Sequence, residues 1–110
     1  MKLHMSETTN FGYLGYTFQL KLLNLIITDN TFFQSIIDAI TPKYFDNQYF
    51  RLIMQLIKEY YEKYQTAPSF DAIDQLTRIE ISSEMARKNI FDMIKDIKDA
   101  SFEDHLFIKE

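Results

Sequence analysis

The stretch KYFDNQYFRLIMQLIKEYYEKYQTAPSF, from Lys43 to Phe70, decides the fold of this 110-residue chain. It opens as a loop ending in Tyr44-Phe45 and continues as a helix predicted over Asn47 to Tyr64. Tyr49, Phe50, Ile53, Met54, Ile57, Tyr60, Tyr61 and Tyr64 recur at the spacing of one helical face. Leu52 and Leu56 widen that face, while Arg51, Gln55, Glu59 and Glu62 leave a narrow polar strip. At about 1.5 Å per residue the helix spans roughly 27 Å, so it is expected to be the central post for shorter helices. Pro68 ends it, because proline biases the preceding residue away from helix, and Ser69 is placed to cap the next one.

Towards the N-terminus, a helix is expected from about Thr17 to Ile27. It is apolar nearly all round, with only Gln19, Lys21 and Asn24 polar, and so is buried on most sides. Asp29 caps a second helix from Asn30 to about Ile40, whose Phe32, Phe33, Ile36, Ile37 and Ile40 keep helical spacing, and Thr41-Pro42 breaks it. Residues 1–15 carry little periodicity and read as a flexible arm. Met1 to His4 is compatible with a cloning remnant ahead of a natural start at Met5. Gly12 and Gly15 sit among aromatics, with no strand before them and no Lys-Ser/Thr after, so they are a flexible lead-in and not a phosphate loop.

Towards the C-terminus, Ser69 opens a short fourth helix with Asp71 in its first turn and an inward stripe of Phe70, Ile73 and Leu76. Ser82 or Ser83 begins a fifth, with Glu84 and Lys88 at i, i+4 and an apolar side of Ala86, Ile90, Met93, Ile94 and Ile97, Phe91 beside them. Thr77 to Ile81 is too short and mixed for a strand. Ser101-Phe102-Glu103-Asp104 matches a capping box before Leu106, Phe107 and Ile108, so a sixth helix is expected to start where the sequence stops. The expectation is an all-α domain over residues 16–100, a packing of five helices, with residues 101–110 as the start of a cut linker or hairpin helix.

Composition narrows function by exclusion. The net charge is −4 and no basic run exists, so phosphate neutralisation, the main source of DNA affinity, is weak. Without cysteine there is no disulfide framework and no thiolate metal site. No apolar run reaches the length of about 18 residues that a membrane span needs, and no signal pattern precedes the first helix; a cytoplasmic protein is expected. Aromatics make up 15%, all Phe and Tyr, which supplies the large buried rings that a small core requires.

Catalytic chemistry has few candidates. His105 beside Glu103 and Asp104 is a solvated first turn, because adjacent helical residues point apart. Asp92, Asp96 and Asp99 share a face that can be read as a cation site, but Lys95 and Lys98 interleave, and a salt-laced surface is the plainer reading. Ser82-Ser83 has no histidine base near in sequence. Tyr60, Tyr61 and Tyr64 can stack bases in principle; core packing with hydroxyls at the surface fits the acidic surroundings better. The segment is expected to be no enzyme by itself and to hold no metal or cofactor.

At Pro42-Lys43-Tyr44-Phe45-Asp46, and again at Glu59-Tyr60-Tyr61-Glu62-Lys63-Tyr64 with Pro68-Ser69-Phe70, the chain resembles the N-terminal domain of DnaB-like replicative DNA helicases, in the T4-like bacteriophage branch. The order of weak motifs carries the resemblance over roughly residues 16 to 110. These are a buried helix at Phe18-Gln19-Leu20-Lys21-Leu22-Leu23, then Asp29-Asn30-Thr31-Phe32-Phe33, a Pro-x-Tyr-Phe turn, a long helix, a Pro-Ser turn with a short helix ending near Leu76, and Ser101-Phe102-Glu103-Asp104-His105. The N-terminal arm departs from the family's pattern. The resemblance implies a collar and not a motor: such domains associate around a hexameric ring, often as dimers through a helical hairpin, and contact primase and loader proteins in the primosome. ATP and magnesium would belong to a RecA-like domain beyond Glu110. The fifth helix would be the first hairpin arm, with Ile90, Phe91, Met93, Ile94 and Ile97 as subunit or partner interface, part core and part contact. The competing readings are a freestanding helical adaptor that binds primase or a host helicase, and a small nucleic-acid-binding domain, which the acidic charge disfavours.

Overall fold

In a computed structural model of the chain, residues 14–100 are described. They form five α-helices: α1 (Tyr16–Thr28), α2 (Asn30–Ile36), α3 (Gln48–Tyr64), α4 (Phe70–Glu80) and α5 (Glu84–Asp99), with one 3-10 turn at Pro42–Tyr44 ahead of α3. No strand occurs among the described residues, and the all-α, five-helix expectation holds. Residues 1–13 of the expected 1–15 arm and the Ser101 capping box lie outside the described residues.

Side-chain caps start four of the helices. The carboxylate of Asp29 accepts from Phe32 N at 2.9 Å, and Asn47 Oδ1 accepts from Tyr49 N at 2.7 Å. Ser69 and Ser83 hydroxyls accept from Ala72 N and Ala86 N at 3.1 and 3.2 Å, which settles the fifth start on Ser83. Each such bond satisfies a backbone donor that the helix leaves unpaired and contributes about 0.5–2 kcal/mol. The lead-in to α1 turns at Gly15, whose φ of 92° favours glycine. α3 ends on Gln65 in the left-handed region at φ 61°, where its side-chain amide donates back to Tyr61 O at 3.1 Å.

Phe50, Ile53, Met54 and Ile57 of α3 have no exposed surface and line the core with Leu23, Ile26, Phe33, Ile73, Ile90 and Ile97. Around them α3 touches the Pro42–Tyr44 turn, α4 and α5. α5 in turn packs on α1, α3 and α4, so it shares the central position that the length of α3 alone suggested. Phe45 of the Pro-x-Tyr-Phe turn is fully buried, with its ring edge-on to Phe50 at 6.1 Å. That placement is why the turn fixes where α3 begins.

Two boundaries and the depth of two side chains differ from the sequence expectation. α2 stops at Ile36 and not Ile40: the chain turns at Ile37–Ala39, and Lys58 Nζ of α3 donates to the carbonyls of Ile37 and Ile40 at 2.8 and 2.9 Å. The ammonium caps carbonyls that the end of a helix leaves without an internal partner, while Ile37 and Ile40 stay buried. α4 runs to Glu80, one turn past Leu76, and Thr77 is buried on its inward face with its hydroxyl satisfied by donation to Ile73 O at 2.8 Å. Leu76 is only half-buried, so the inward line of α4 is Ile73 and Thr77. Tyr64, assigned to the core face of α3, is 60% exposed.

Buried polar groups tie the first helix to the last. Asn24 of α1 is buried and its Nδ2 donates to Ile97 O of α5 at 2.7 Å. Gln19, also buried, donates to Gly15 O at 3.1 Å and accepts from Asp46 N at 3.4 Å. Asn24→Leu keeps the volume but removes the donor, and is expected to lower stability by about 1–3 kcal/mol. Urea denaturation of the variant, with an unchanged slope, checks this; an unchanged midpoint would mean that the bond adds nothing beyond packing.

Candidate interface on the fifth helix

α5 repeats its apolar residues at helical spacing after the Ser83 cap, and this places the five candidate residues at different depths. Ile90, Ile94 and Ile97 are buried in the chain's own core, at 0, 2 and 0% exposure. They are the core part of the expected stripe. Phe91 and Met93 are half-buried, and they are what remains of the strip.

Phe91 is not bare. The guanidinium of Arg78 on α4 lies 4.9 Å from its ring centroid, and Lys98 Nζ lies 5.8 Å from the ring of Phe70. Cation–π contacts at exposed positions contribute about 0.5–1 kcal/mol each, so they hold α4 and α5 together modestly. Phe91, Ile94, Arg78, Lys95 and Lys98 line an open groove of about 570 Å³, with Asp74 and Asp99 at its margin. Its charges are mixed, and two of its three cations cover rings.

Two of the carboxylates of α5, Asp92 and Asp96, have partners of their own. Lys88 Nζ pairs with Asp92 at 3.2 Å, and both side chains are well exposed, so Lys88 turns towards Asp92 instead of the expected Glu84. Asp96 accepts from the Tyr16 hydroxyl at 3.4 Å. Partial burial, then the charge of Asp96, then this hydrogen bond hold the Tyr16 phenol above its ordinary pKa. No group of three His, Asp or Glu side chains able to hold a metal ion occurs among the described residues. No helix among them is long and apolar enough to cross a membrane.

One surface was missed in the sequence. Tyr61 lies edge-on to the buried Phe33 at 5.4 Å, as core packing requires. Tyr60 and Tyr64 instead pair with each other, ring centroids 4.5 Å apart, beside an open groove between α3 and α4. The available signal was the widening of the apolar face by Leu52 and Leu56, which leaves more apolar residues on α3 than one core-facing stripe holds. Comparison with protein-family models, curated proteins and solved structures finds no match to this chain.

Proposed function

We propose that this chain is the assembly and partner-docking collar of a phage hexameric replicative DNA helicase of the DnaB-like type, acting in the cytoplasm of the bacterial host. One observation supports the reading: the elements occur in the order that the resemblance implies. A buried α1 is followed by α2 under the Asp29 cap, the Pro42–Tyr44 turn, the long α3, the Ser69-capped α4, and α5. In this reading the domain forms dimers by itself and a hexamer in its parent, primase and a helicase loader are its partners, and DNA is held by the parent ring. The unwinding ATPase, with its ATP and magnesium, resides in a RecA-like domain encoded beyond Glu110.

The reading frame past Glu110 tests this directly. A Gly-x-x-x-x-Gly-Lys-Ser/Thr loop following a predicted strand is the expected result. A stop codon close to Glu110 would overturn the collar and leave the freestanding adaptor that binds primase or a host helicase. Self-association has its own check at the two half-buried residues. Phe91→Glu or Met93→Glu is expected to lower association in sedimentation equilibrium by about tenfold, with far-UV circular dichroism unchanged. Loss of helicity in both would assign the two residues to the core.

A further inference from the structure

α3 and α4 enclose an open groove of about 610 Å³. Its walls are apolar: Leu56, Tyr60 and Tyr64 from α3, and Ala72 and Leu76 from α4. Ile79, three positions beyond Leu76 on the same helical face, is 74% exposed and prolongs the apolar line past the groove. With Tyr64, 60% exposed, this leaves apolar surface uncovered among the described residues, the kind of patch that marks a docking site.

The rim fixes what fits. Glu59, Glu62 and Glu80 border the groove with a single cation, Lys63, and all four are exposed. Gln55 donates to Glu59 at 3.2 Å, and none of the three carboxylates forms an ion pair among the described residues. Nucleic acid is disfavoured, because its phosphates meet like charge. A symmetric second copy would bring two acidic rims together. Residues 101–110, with Glu103, Asp104 and Glu110 against Lys109, carry the same sign of charge as the rim. A helix with an apolar stripe flanked by lysine or arginine satisfies both walls and rim, the way an amphipathic helix lays its apolar face into a groove.

We propose that the α3/α4 groove is a docking site for a cationic amphipathic helix of another protein. The groove lies apart from the strip on α5, so this site stands or falls separately from the collar reading.

The test is fluorescence anisotropy on the 110-residue chain with a labelled peptide of about 18 residues, some five helical turns, built from Leu and Lys at amphipathic spacing. The Lys peptide is expected to bind, more weakly as salt rises, and its Glu counterpart not to bind. Glu62→Lys and Tyr64→Ala are each expected to weaken binding by about fivefold or more. Asp92→Lys makes the same charge change as Glu62→Lys outside the groove, at the exposed pair with Lys88, and is expected to change binding by less than about twofold. Equal weakening by the two charge reversals would reduce the effect to net-charge attraction and overturn the site. So would equal binding of both peptides. Failure of the Lys peptide to bind, with Tyr64→Ala altering self-association in sedimentation, would assign the groove to a second copy.

Discussion

Ile57→Asp is expected to abolish the cooperative unfolding transition of this domain at neutral pH. Ile57 has no exposed surface and belongs to the cluster that joins α3 to α1, α4 and α5. A carboxylate there is left charged without a partner, or neutral with unmet hydrogen bonds, and either state costs several kcal/mol on top of the lost packing. The neighbouring cation, Lys58, is already committed to the carbonyls of Ile37 and Ile40. Small domains have only about 5–15 kcal/mol of stability in total, so the loss is expected to unfold most molecules. Ile57→Val removes one methylene and sets the scale, at about 0.5–1.5 kcal/mol. A wild-type melting curve for Ile57→Asp would place residue 57 on the surface and move the whole buried face of α3.

The second large effect is at Phe50. Its ring is fully buried between Tyr16, stacked at 5.3 Å and 26°, and Phe45, edge-on at 6.1 Å. Phe50→Ala leaves a void where the 3-10 turn, α1 and α3 meet, and is expected to cost about 3–5 kcal/mol in urea denaturation. Tyr64→Ala on the same helix is expected to cost less than about 0.5 kcal/mol, because that ring is mostly in solvent. Equal losses would mean that Tyr64 is buried in solution.

The contrast between Phe50 and Tyr64 also shows what the sequence carried. Period 3.6 assigned both to one face, and it was right wherever α3 meets α1, α4 or α5. It failed at Tyr64, which faces the open groove beside α4 and not the core; how much of a face the other helices cover leaves no mark on a helix's own spacing. The starts of helices were legible because Asp29, Asn47, Ser69 and Ser83 are local signals acting over three residues. The end of α2 was not, because a lysine distant in sequence supplies the competing hydrogen bonds. For the same reason Ile90, Ile94 and Ile97 could be assigned to the apolar side of α5 from sequence, but their division from Phe91 and Met93 between core and surface depends on where α1, α3 and α4 sit.

The bond between Asn24 and Ile97 spans 73 positions, and that between Tyr16 and Asp96 spans 80. During synthesis, at about 5–20 residues per second, α1 therefore waits some seconds for the helix it is built to touch. α2 follows at once to cover one side of α1, but the side that meets α5 stays open until α5 is made, so closure of the domain is a late event that joins distant ends of the described chain. Until α5 leaves the ribosome, the buried amide of Asn24 has no carbonyl of Ile97 to meet.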